Sequence, residues 1–95
     1  MITLSVTIHC KLDQVEKARD LFRSFVPRAR SETGCLLYVL TEGEIEFGLF
    51  HFYEQWETQA ALDAHNQQDY LKEFHARFEE LLQTKNQVHR LRNCE

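Results

Sequence analysis

Two neighbouring apolar segments in the middle of the chain constrain its fold more than any other feature. CLLYVLT (35–41) and IEFGLFHFYEQ (45–55) have the residue types and lengths of β-strands, and the EGE between them predicts a short hairpin turn. A strand whose sheet is covered on one side only alternates apolar and polar residues. In the second segment both alternating sets are apolar, with Phe50 and Phe52 on one face and Phe47, Leu49 and Tyr53 on the other. Both faces of this hairpin therefore require a cover.

The first third of the chain predicts a strand followed by a long helix. Residues 2–10 (ITLSVTIHC) alternate with period two, which indicates a strand. Between Leu12 and Glu32, apolar residues recur at steps of three and four and form one helical stripe. Pro27 lies inside this stripe and predicts a kink or a split into two helices. Gly34 suits the left-handed position after the helix.

The last part of the chain predicts a second helical region and a final strand. Thr58 is a candidate N-cap, and the helical pattern pauses at 66–68 before it resumes. A short strand is expected at 87–92. The order β-α-β-β-α-β predicts an α+β fold, the ferredoxin-like sandwich in which both helices cover one face of a four-stranded antiparallel sheet. A chain of 95 residues is expected to form a single domain, 1–95.

The apolar residues on both faces of the hairpin also predict a protein partner. Two helices are enough to cover one face of the sheet, so the other face, which includes His51, needs another cover. The simplest candidate is the same face of a second copy, and we therefore expect a homodimer formed through facing sheets.

Composition and charge exclude several classes of function. The net charge is −4 without a long basic cluster, so we expect neither nucleic acid nor an anionic membrane as a partner. No apolar run of membrane-spanning length occurs, and the N-terminus does not resemble a signal peptide. Three widely spaced cysteines predict free thiols and a cytoplasmic location. The five histidines form no metal-ligand motif, so no metal site is expected.

Several motifs together resemble those of the antibiotic biosynthesis monooxygenase family. They occur in order across nearly the whole chain, at ETGC (32–35), YEQWE (53–57), ALDAH (61–65) and YLK (70–72). Val26-Pro27 is further similar to the bacterial quinol monooxygenases of this family. The resemblance implies a dimeric α+β barrel of two ferredoxin-like subunits, and oxidation of a quinol or polyphenol by dioxygen without a bound cofactor.

The resemblance and the residue chemistry together predict an active site. His65 is the expected proton acceptor, because an imidazole titrates near neutral pH. Trp56 is the expected donor to a substrate oxygen through its indole N–H. The expected wall of the substrate cavity consists of Tyr38, Phe50, Phe52, Tyr70 and Phe74, with Glu54 as a buried carboxylate on the same strand face as Trp56.

Other functions on the same fold remain open at this point. The family also includes isomerases of a phosphorylated signal molecule, for which Lys11, Arg28 and Arg30 are the available cations. It includes haem-degrading enzymes, for which His75 falls at the ligand position but Thr7 replaces an expected Asn. A non-catalytic small-molecule binding protein is the alternative outside enzymes. Phe52 and Leu62 replace polar residues of the anthrone oxygenases, which disfavours an anthrone substrate.

Overall fold

The computed structural model describes residues 1–95 and contains one four-stranded antiparallel sheet with helices on one face. The strand order is β2-β3-β1-β4. The elements are β1 (Ile2–His9), α1 (Val15–Arg30), β2 (Cys35–Glu42), β3 (Leu49–Trp56), α2 (Gln59–Asn66), α3 (Asp69–Ala76), α4 (Phe78–Leu81) and β4 (Gln87–Leu91). This arrangement confirms the predicted ferredoxin-like α+β fold.

The first helix passes through Pro27 without a break. A 3₁₀ turn at Leu12–Gln14 leads into α1, which is one helix, so the expected split at Pro27 is wrong. The proline removes the hydrogen bond to the carbonyl of Arg23, and both residues lie on the exposed side of the helix. Water can satisfy the freed carbonyl there, so the helix continues. The predicted apolar stripe is buried along its length, at Val15, Ala18, Phe22, Phe25 and Ala29.

The hairpin between β2 and β3 differs from the prediction at its tip. Residues 43–48 form a loop, and β3 begins at Leu49 rather than Ile45. Gly48 has φ +87, a left-handed conformation that turns the chain into β3. Phe47 therefore lies outside the sheet and is 60% exposed, so its predicted place on the second sheet face is wrong.

The second helical region begins as predicted and is then interrupted twice. The Thr58 hydroxyl accepts the backbone N–H of Ala61 at 3.1 Å, which confirms the N-cap. The predicted pause separates α2 from α3, and a second break at Arg77 separates α3 from α4. The final strand is present and pairs with β1. None of these helices has the length and apolar character needed to span a membrane.

The two faces of the sheet have different surroundings. The helices cover the face that carries Phe50, Phe52 and Trp56, whose rings are buried in an aromatic core. The ring centroids of Phe22 and Phe50, for example, are 5.2 Å apart. No helix covers the opposite face, where Tyr53 of β3 is only half-buried. On this open face His51 Nε2 lies 2.6 Å from the Ser5 hydroxyl.

Candidate active site

An apolar cavity of about 450 Å³ lies between the sheet and the helices. Its walls come from β1, α1, β2, β3, α2, α3 and the start of β4, and most of its lining side chains are hydrophobic. The polar groups include Glu54 and His65, which are both buried. The volume lies within the range of small-molecule sites in proteins, which combine apolar walls with a few polar groups.

The period-two alternation of β3 places Glu54 in this cavity. Phe50, Phe52, Glu54 and Trp56 all face the helices, so a carboxylate occupies a strand position otherwise used by aromatic rings. The Trp56 indole N–H donates to Glu54 Oε1 at 3.0 Å. The carboxylate is only 5% exposed, and this hydrogen bond compensates part of the cost of its burial.

His65, in the last turn of α2, lies between two carboxylates. Its Nδ1 is 2.9 Å from Glu32 Oε1, and its Nε2 is 3.8 Å from Glu54 Oε1. The Tyr70 hydroxyl donates to the second oxygen of Glu32. The Trp56 ring lies against the imidazole with a centroid distance of 4.4 Å, which fixes the plane of the histidine.

Burial changes the proton affinity of the groups around this histidine. Loss of solvation raises the pKa of Glu54 above its ordinary value, and this effect exceeds the opposing effects of the Trp56 hydrogen bond and of His65. Burial also raises the pKa of Tyr38, and the nearby Glu54 charge raises it further. Tyr38 therefore lies in the wall as a neutral phenol. A carboxyl group with a raised pKa is suited to exchanging protons with a weak acid such as a phenol.

Comparison with known proteins identifies the family. Residues 1–77 match the family model described as Antibiotic biosynthesis monooxygenase. The chain belongs to this family. Its motifs at 32–35, 53–57, 61–65 and 70–72 all lie within the matched region, so the resemblance seen in the sequence is confirmed.

Individual relatives agree with this membership. The protein sll1783 of Synechocystis sp. is 38% identical over 81 residues, which cover 85% of this chain and 55% of that protein. The chain thus spans about half the length of that relative. "Putative monooxygenase YcnE" of Bacillus subtilis is 33% identical over 82 residues, 86% of each chain. The crystal structure of PA3566 from Pseudomonas aeruginosa superposes with a TM-score of 0.91 at 31% identity, and covers 99% of this chain and 94% of that one.

The structure brings most of the predicted site residues of this monooxygenase-family chain to one cavity, but not all of them. Those that line it are Tyr38, Phe52, Glu54, His65 and Phe74. Phe50 does not reach the cavity and is buried against Phe22. Trp56 is completely buried behind Glu54 and His65, and its indole N–H is already bonded to Glu54. Tyr70 lines a separate groove on the outer surface.

Glu32 is the site residue that sequence reasoning missed. The sequence places it at the helix end and in the ETGC motif, without a role in the site, whereas the structure places it against His65. Gly34 is responsible for this approach: its φ is +82, as predicted, and a Cβ atom there would lie 2.6 Å from the Cβ of Ala61. The ETG motif, followed 29 positions later by the start of ALDAH, carried the signal, but only the close packing of these two segments shows its meaning.

The residues considered for the other chemistries of the family do not converge. Lys11 lies before α1 and donates to the carbonyl of Glu79, whereas Arg28 and Arg30 lie in the last turn of the same 16-residue helix. No cluster of these three cations is formed to hold a phosphate. Thr7 alternates with the helix-facing Val6 and Ile8, so it lies on the open sheet face, away from the cavity that His75 borders.

Proposed function

We propose that this chain is a cofactor-independent monooxygenase that oxidises a quinol or related polyphenol with dioxygen. The observation that carries the proposal is the buried Glu54–His65 pair in a cavity whose lining is mostly hydrophobic. Membership of the family and the name of the relative YcnE support it.

The proposed reaction begins with removal of a phenolic proton. Glu54 accepts this proton, and the resulting phenolate is electron-rich enough to reduce dioxygen itself. For a simple hydroquinone, the ring gains one oxygen atom to become a hydroxyquinone, and the second oxygen atom leaves as water. The aromatic walls at Phe25, Phe52 and Phe74 hold the planar ring and exclude bulk water. The substrate supplies the electrons, so this chemistry needs no organic cofactor or metal.

Product analysis under air and under argon tests the proposal. Purified protein is incubated with a panel of benzo- and naphthohydroquinones, and spontaneous oxidation is measured without protein and subtracted. We expect an oxygen-dependent hydroxyquinone above this background, and its added oxygen atom should come from labelled dioxygen. Glu54→Gln and His65→Gln should each reduce kcat by roughly 10²- to 10⁴-fold, the usual contribution of a proton-transfer group.

A matched variant controls for the chemical change itself. Glu73→Gln makes the same replacement at an exposed residue of α3 and should leave the rate unchanged. If compounds bind in the cavity without any product, the chain is a binding protein and the monooxygenase proposal fails.

The proposed working form is a homodimer that joins the open sheet faces. Leu37 is 37% exposed on this face, and Val39 and Tyr53 pair beside it. Apolar strand surface of this kind is unusual on a small monomeric protein. Light scattering coupled to size-exclusion chromatography measures the mass directly, and a monomer at micromolar concentration would contradict this proposal.

A further inference from the structure

His65 lies between the apolar cavity and a second, polar cavity on the outer surface. This outer groove has a volume of about 870 Å³ and is lined by Arg28, Glu32, Gln67, Gln68, Asp69 and Tyr70, among others. Gln67 borders both cavities, and Glu54 and His65 line only the inner one. The side chain of Glu32 is 12% exposed and that of His65 is 2% exposed. Glu32 thus lies on the solvent side of the histidine and Glu54 on the cavity side.

Hydrogen-bonding groups follow one another from the outer groove to the apolar cavity. One carboxylate oxygen of Glu32 accepts a hydrogen bond from the Tyr70 hydroxyl. The other oxygen lies within hydrogen-bond distance of His65 Nδ1 and can accept its proton. With the proton on Nδ1, the imidazole presents the lone pair of Nε2 toward Glu54. The remaining gap of 3.8 Å exceeds a hydrogen bond of roughly 2.7–3.2 Å, so transfer across it requires a rotation of the Glu54 carboxyl group that shortens this distance.

We propose that Glu54, His65 and Glu32 form a proton path from the apolar cavity to the outer groove, with Glu32 as the outlet. The source of the proton, a phenolic substrate, rests on the proposed function. The arrangement of the path is independent of the substrate.

Each transfer in the path is balanced. The substrate O–H bond breaks, and its proton binds the Glu54 carboxylate. Glu54 then gives a proton to His65 Nε2, while the proton on Nδ1 passes to Glu32, and Glu32 releases it to water in the groove. One proton leaves the cavity at this stage, and no electron moves in these steps. A return transfer along the same path restores the starting tautomer and supplies a proton for the water that forms later, so the complete reaction releases no net proton.

Five groups from four parts of the fold face the imidazole, and no lysine or arginine is among them. They are Glu32 after α1, Tyr38 on β2, Glu54 and Trp56 on β3, and Tyr70 on α3. The pKa values of Tyr38 and Tyr70 are both raised, chiefly by burial, so neither phenol competes as an acceptor. Arg28 lies over the outer face of the Tyr70 ring, 5.4 Å from its centre. The carboxylates are therefore the only anions beside the histidine.

The test combines chemical rescue with a spectroscopic measurement on three forms: wild type, Glu32→Ala and the control Glu73→Gln. Glu32→Ala opens a space on the groove side that admits formate. If Glu32 accepts protons, kcat on a hydroquinone falls by roughly 10²-fold with little change in KM, and added formate restores part of it. Formamide has the same shape but cannot accept a proton at neutral pH, so it should not restore the rate. Equal rescue by formamide, or an unchanged kcat in Glu32→Ala, would overturn the path.

Nitrogen-15 NMR of labelled histidine tests the proton path in the resting protein, without turnover of a substrate. At about pH 8, where an ordinary imidazole is neutral, we expect His65 to carry its proton on Nδ1 in wild type and in Glu73→Gln. Glu32→Ala should lose this preference. A proton on Nε2 in the resting wild-type protein would overturn the path, because that nitrogen could not receive a proton from Glu54. Absence of turnover in wild type would count against the proposed function only, and the tautomer would then settle the path.

Discussion

The two faces of β3 carry side chains with very different surroundings. On the helix side it carries three aromatic residues and the buried Glu54, which is held by the Trp56 indole and lies near His65. On the open side it carries His51, whose ring meets only the Ser5 hydroxyl, and the half-buried Tyr53. A buried carboxylate in an aromatic layer raises the free energy of the folded state, whereas the open side contains no comparable cost. The proposed reaction uses the helix side of the strand, and the proposed dimer uses its open side.

The largest effect expected from this comparison is on stability. Phe22→Ala should lower the free energy of unfolding by about 3–5 kcal/mol, because this ring contacts Phe25, Phe50, Phe52 and Phe74 in the closed core. Thr7→Ala on the open face should change it by less than about 1 kcal/mol. Urea unfolding followed by circular dichroism measures both. Similar losses for the two variants would remove the distinction between the faces.

The next effect concerns the contact that assembles the site. Gly34→Ala should destabilise the protein by about 1–3 kcal/mol, because it forces a side chain into a left-handed conformation and against Ala61. The double variant Gly34→Ala/Ala61→Gly removes the collision and keeps the backbone strain, so it should recover part of the loss. Thermal unfolding separates the two contributions. A double variant no more stable than the single one would show that the collision contributes nothing.

On the open face, Tyr53→Lys should change association rather than folding. A lysine at this half-buried position places a charge in the proposed interface, and like charges from two copies would face each other. The mass in solution should fall from dimer to monomer while the circular dichroism spectrum is retained. Glu73→Lys on exposed α3 is the matched control, and an unchanged mass for both variants would place the interface elsewhere.

The smallest effect is the pH dependence of stability caused by Glu54. Its pKa is raised in the folded protein, so between the unfolded and folded values the folded state binds more protons, and stability falls as pH rises. Wild type should therefore gain stability relative to Glu54→Gln as the pH is lowered from about 8 to about 5, with a slope of at most about 1.4 kcal/mol per pH unit for one proton. Urea midpoints at several pH values measure the difference. The opposite slope would mean that hydrogen bonding outweighs burial at this carboxyl group.

Much of the fold could be predicted from local patterns. The alternation in β1, the stripe of α1, the Thr58 cap and the positive φ of Gly34 each depend on a few neighbouring residues. Two predictions were wrong because the tertiary surroundings changed the outcome expected from a local sequence pattern. Pro27 is tolerated because its freed carbonyl is on the exposed side of α1, and Phe47 lies in a loop because Gly48 turns the chain.

The candidate site could be predicted only in part for the same reason. Period two on β3 is enough to put Glu54 on the same face as Phe52, and helical spacing puts His65 in the second helical region. Neither pattern shows that Trp56 is enclosed behind Glu54 and His65, or that Tyr70 faces the outer groove. These positions depend on how α2 and α3 pack on the sheet.

The sequence by itself determined the order of strands and helices, the family, and the apolar residues on both faces of the β2–β3 hairpin, because these follow from periodicity and from motifs along the chain. Only the tertiary structure decided that Glu32, 33 residues before His65, lies 2.9 Å from its imidazole. Hydrogen bonds between side chains act over a few ångströms in space and leave no regular spacing in sequence. The close approach of two backbones at Gly34 and Ala61 brings these two groups together.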